Sequence, residues 1–128
     1  MNSSIILYSG LRILQHAEKR IIEMCNKYNG WTNYETWNVA LWLDNEQYTQ
    51  ELWSSRAREL LEDEEEYPNA ILQDELKEFV ENINPLANDA SMYSDLLGAA
   101  IDSANWYEIA ESYLEDARAE LEEEETEE

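Results

Sequence analysis

One cysteine, Cys25, and one histidine, His16, are all this sequence holds of thiol and imidazole. A lone cysteine excludes an intramolecular disulfide and fits a reducing compartment, so a cytoplasmic protein is expected. Zinc sites built from Cys and His, and di-metal bundles of the Glu-x-x-His type, are excluded by the same scarcity. Cys25 and His16 stand nine residues apart on one predicted helix. Steps of ~100° put them on opposite faces, so they cannot form a thiol–imidazole pair and Cys25 reads as a small apolar side chain. Three glycines supply no phosphate-cradling loop, no nucleophile elbow and no EF-hand turn. No apolar run approaches ~18 residues, so no membrane span is expected. The short run "IILY" (5–8) precedes its bases instead of following them, and no signal peptide is expected.

Bases are nearly as scarce. Eight Lys and Arg face 30 Asp and Glu, for a net charge of −22. Residues 1–30 carry Arg12, Lys19, Arg20 and Lys27 against Glu18 and Glu23, a balance of +2. Residues 31–128 carry four bases against 28 acids, a balance of −24. Phosphate repels such a body, so direct binding to nucleic acid is not expected. Its natural complement is a basic partner or a divalent cation. Salt adaptation is the bland alternative, against which 23 Glu to 7 Asp weighs slightly.

What is present is helical. Residues 5–28 place Leu7, Leu11, Leu14, Ile21, Cys25 and Tyr28 at three- and four-residue steps, with Glu18 in the remaining slot. Asn29-Gly30 is a stop. Thr32 to Glu35 fits a capping box that opens a second helix. Asp44-Asn45 would cap a third, running to about Glu66 before Tyr67-Pro68. Leu72, Leu76, Phe79 and Ile83 stripe the next helix, which Asn84-Pro85 closes. Residues 91–103 put Tyr93, Leu96, Leu97, Ala100 and Ile101 on one face. Asn105 with Glu108 signals a last helix, along which Trp106, Ile109, Ala110, Tyr113, Leu114, Ala117 and Leu121 form an apolar stripe. No strand alternation of useful length occurs. The expectation is an all-α, compact bundle of about five to six helices. It divides into a basic amphipathic extension (1–30), an acidic helical domain (31–118) and an acidic tail (119–128) frayed by like charges.

"GWTNYETWNVALWLDNEQ" (30–47) holds three of the five tryptophans. Tyr34, Trp37 and Leu41 share an arc of about 60° and Val39 and Leu43 cover the far side, so this helix reads as a buried core anchor. Asn38 should then bond to a neighbouring element. Trp31 and Trp53, nearer the loops, are the candidate exposed anchors for a partner. No base lies between them, so the rings are not a nucleic-acid stacking platform. Glu35 and Glu108 sit beside aromatics but read as capping glutamates at the third helical position. No motif calls for a cofactor or metal, and the chain does not read as an enzyme.

"TNYETWNVALWLDNE" (32–46), paired with "YSDLLGAAIDSANWYEIAESYLED" (93–116), resembles a family of small uncharacterised proteins of phages, plasmids and prokaryotic genomes. The resemblance spans roughly residues 31–117. It implies a mobile-element setting and a mainly helical fold, and it carries over no activity and no catalytic residues. Charge and setting together suggest an inhibitor of a basic, nucleic-acid-binding host or defence protein, of the anti-CRISPR or anti-restriction kind, acting as a DNA mimic. Its acidic face would be Glu62, Asp63, Glu64, Glu65, Glu66, Asp74, Glu75, Glu78 and Glu81. The alternative is a non-enzymatic adaptor that self-associates through the stripe of residues 5–28, giving a homodimer.

Overall fold

Asn29-Gly30 makes a tight turn. The computed structural model describes residues 15, 18 and 27–127. Tyr28 and Trp31 exchange two backbone hydrogen bonds of 2.8 Å across this turn. Both turn residues are left-handed, at φ 47° and 90°, a geometry that Asn and Gly adopt at least cost. The stripe expected at residues 5–28, with Cys25 and His16, lies outside the described residues apart from Glu18, Lys27, Tyr28 and the intervening Gln15.

Five helices follow: α1 (Tyr34–Asn45), α2 (Gln47–Glu62), α3 (Pro68–Asn82), α4 (Met92–Ser103) and α5 (Trp106–Glu127). The all-α bundle is therefore as expected, while several boundaries move. Asn33, one residue past Thr32, caps α1 by accepting from the Thr36 N–H at 2.9 Å. Asp44 and Asn45 end α1 instead of capping α2. The α1–α2 corner is tied by Thr49, whose buried hydroxyl donates to the Leu43 carbonyl at 2.6 Å. α2 stops at Glu62, four residues short of the expected end. Glu64 turns left-handed there (φ 56°), and the N–H groups of Asp63, Glu64 and Glu65 return to the carbonyls of Glu59, Leu61 and Leu60. Pro68 opens α3, where its missing N–H costs nothing. Ser91 caps α4 and Asn105 caps α5, each accepting from the N–H three residues on.

α5 is the central element, packed along α2 and α3. Its stripe buries Ile109, Ala110, Leu114 and Ala117 against Ala57 and Leu60 of α2 and Leu72 and Leu76 of α3. Each such leucine or isoleucine contributes about 1.5–3 kcal/mol on burial. Trp53 is only 5 % exposed and meets Phe79 edge to face, with ring centroids 5.5 Å apart. It is a core residue, which corrects its reading as an exposed anchor: its indole sits on the inner face of α2, one turn before Ala57. α1 is corrected in the opposite sense. It buries Thr36, Ala40 and Leu43, while Tyr34, Leu41 and Trp42 face outward. The helix lies at the edge of the bundle, so neighbours cover one side of it only. Trp37 is half-buried, against Tyr28 and Tyr34.

The expected frayed tail is also corrected. α5 passes residue 118 without a break and continues to Glu127. Glutamate is a good helix former, and Arg58 reaches across from α2 to Glu124 at 2.6 Å and Glu120 at 4.0 Å. Those contacts offset part of the repulsion between neighbouring carboxylates. No helix among the described residues is long and apolar enough to cross a membrane.

Candidate functional site

The two motif segments meet in space. The Thr32 backbone N–H lies 3.2 and 3.3 Å from the two carboxylate oxygens of Glu108, and the Thr32 hydroxyl donates to the same group. Asn105 donates its side-chain amide to Thr32 Oγ1 at 3.2 Å and its backbone N–H to Thr36 Oγ1 at 2.8 Å. Asn33 donates its amide to the Ser103 carbonyl at 2.8 Å. Each helix start is thus partly capped by residues of the other. Glu108 satisfies donors of the α1 entry in place of the N–H of its own cap, and the expected Thr32–Glu35 box does not form. This gives the paired motifs a physical reason: they are two halves of one polar lock.

The acidic residues divide into those held inside the protein and those free to meet a partner. Glu75 is half-buried and grips Arg56 with two bonds of 2.8 and 2.9 Å, which raises the already high Arg56 pKa. It is an interhelical brace, which corrects its place on the open acidic face. Glu62 pairs with Arg58 at 2.7 Å. Lys77 lies 3.2 Å from Asp102 and 3.8 Å from Glu81. Arg118 holds Glu111 at 2.8 Å, and that bond, aided by the Asn69 amide, lowers the Glu111 pKa. All four bases of residues 31–128 therefore already sit in ion pairs. Such exposed pairs add little stability, but they use up the cationic charge of the body. Asp63, Glu64, Glu65, Glu66, Asp74 and Glu78 remain exposed. Arg58 brings the Glu62–Glu66 turn to the same end of the bundle as Glu120 and Glu124, a juxtaposition across 54 to 62 residues of chain that sequence spacing does not reveal. No group of three or more His, Cys, Asp or Glu among the described residues is arranged to hold a metal ion.

The tryptophan segment supplies a different surface. α1, the end of α3 and α4 enclose a groove of about 380 Å³ walled by Tyr34, Asn38, Trp42, Val80, Ile83 and Leu97. Trp42 is 63 % exposed and Ile83 60 %. Glu35 is the one carboxylate among the described lining residues, which include no base. Trp31, the other expected anchor, is half-buried against the core and walls a separate, more polar cavity with Tyr107, Glu108, Glu111 and Glu115. A reading of α1 as buried all round leaves no room for this groove. The available signal was polar: on a helix Asn38 and Asn45 share the arc of Tyr34, which marks it as the outward side. α4 gave a second sign, since Met92, Tyr93 and Leu96 exceed what one buried face needs.

No curated protein and no solved structure matches the chain. A family model with the description "Family of unknown function (DUF7249)" matches residues 24–125, taking in both motif segments and extending beyond residues 31–117 on either side. The chain belongs to this DUF7249 family of unknown function.

Proposed function

We propose that this protein is a non-enzymatic, acidic antagonist of a basic nucleic-acid-binding protein, working in a phage or plasmid setting. The target envisaged is a CRISPR effector or a restriction enzyme, whose cleft concentrates positive potential for a phosphate backbone. The observation that carries the reading is the ion-pair pattern. With all four bases of residues 31–128 engaged internally, the acidic excess of that body is left for the surface. At one end of the bundle Arg58 ties Glu62, where the Glu62–Glu66 turn begins, to Glu120 and Glu124 of α5. A rigid array of carboxylates avoids the ordering cost that a disordered acidic tail carries into binding.

The test is affinity capture with the intact protein, followed by identification of the bound protein and competition with duplex DNA. Changing Glu62, Glu64, Glu65 and Glu66 to Gln removes four charges while keeping side-chain size. The expected result is a captured nucleic-acid-binding protein that DNA displaces, binding that weakens steeply with salt, and slower association of the four-Gln variant. A target that ignores DNA, salt and the four substitutions would refute the reading.

A further inference from the structure

We infer that the groove between α1, α3 and α4 receives an amphipathic helix of a partner protein, with Lys or Arg flanking its apolar stripe. The basic character of that helix rests on the function proposed above; the groove itself does not. The floor and walls are apolar, with Val80 and Leu97 inside and Trp42 and Ile83 at the rim. From Tyr34 to Trp42 the α1 wall spans nine residues, about 12 Å of helix, which accommodates anchors at i, i+3 or i+4, and i+7 of an incoming helix. Tyr93 and Leu96 are also exposed on α4, the helix that carries Leu97. Trp42 is the residue type that most often dominates an interface when a partner encloses it.

Charge selects among occupants. Glu35 lies in the wall and no base lines it, on a body that carries 28 acids against four bases. The body's bases are spent on internal pairs, so the field over the groove is negative. A second copy would bring an equally acidic body against it. A cationic amphipathic helix gains on both counts, apolar contact in the groove and attraction at the rim. Asn38 and Asn84, placed along the groove, offer side-chain amides to the flanks of the incoming helix.

The experiment titrates the full-length, isotope-labelled protein with two synthetic peptides of about 18 residues. Both carry the same leucine stripe; one fills the remaining positions with lysine, the other with glutamate. The expected result is that the lysine peptide shifts the resonances of Trp42, Ile83 and Leu97, and that the glutamate peptide does not bind. Trp42→Ala should weaken binding about tenfold or more with the fold intact, and Ile83→Ser gives a second, equally exposed handle. Lysine-peptide shifts confined to Glu62–Glu66, with Trp42→Ala binding as well as wild type, would overturn the groove and leave the acidic antagonist standing. Groove binding that persists while the four-Gln variant captures its target normally would instead sink the acidic-end reading alone. Groove resonances that move on dilution would assign the site to a second copy. Broadening of Trp42 by a spin label on Cys25 in dilute monomer would assign it to the chain's own N-terminal residues. Either outcome overturns the proposal.

Discussion

Replacing Thr36 by Val tests whether the polar lock holds the two motif segments together. The side chain is fully buried, and Val matches its shape. In the wild type its hydroxyl accepts the Asn105 N–H at 2.8 Å and donates to Asn33 Oδ1. Asn33 keeps the Thr36 N–H in the variant, so losing that bond costs only about 0.5–1 kcal/mol. The Asn105 N–H loses its acceptor at the start of α5, at about 1–3 kcal/mol. Burial of a methyl in place of a hydroxyl returns roughly 1 kcal/mol. The net expectation is a loss of about 2 kcal/mol, equivalent to roughly 8 °C in a domain of this size. Thr36→Ser keeps both hydrogen bonds and gives up one methyl, for about 1 kcal/mol. Urea unfolding followed by circular dichroism measures both, with the slope unchanged if the states are the same. Val below Ser is the expected order. Val as stable as wild type, or more stable than Ser, would refute the lock and make Thr36 a packing residue only.

Trp53→Ala should cost about 3–5 kcal/mol by opening a core cavity, whereas Trp42→Ala should stay within about 0.5 kcal/mol of wild type; denaturant midpoints in the reverse order would contradict the assigned burial. Burial, and then the hydrogen bond of 2.8 Å to Asp44, raise the Tyr113 pKa. The folded state therefore binds this proton more tightly than the unfolded chain, so its contribution is complete below about pH 10 and is lost as pH rises above that value. Tyr113→Phe should lower stability at neutral pH and flatten the alkaline limb of the stability curve; an unchanged alkaline limb would show that another group controls it. Arg58→Ala should speed amide exchange over residues 120–127 while global stability changes little. Unchanged exchange there would mean that helix propensity alone carries the end of α5.

The helical elements, the apolar stripe from Trp106 to Leu121 and the acidity of the body were legible in the chain, because helical periodicity and net charge are properties of near neighbours and of sums. Thr32, Asn105 and Glu108 were legible as N-terminal residues, but not as partners. Which donor a cap satisfies depends on what lies within about 3 Å, and here that is a residue some 70 positions away in the chain. Trp53 and Trp42 show the same division. Both are large apolar residues on helices, and local sequence gives each a face but not a neighbour. Packing of α2 against α3 encloses Trp53, while the edge position of α1 leaves Trp42 at the rim of a groove. Glu75 differs from Glu78 for the same reason, since Arg56 happens to face one and solvent the other. Periodicity and composition are local or additive and need no fold to be read. Burial, pairing and the shape of the groove are relations between distant segments, and only the packing of α5 between α2 and α3, with α1 and α4 at the edge, decides them.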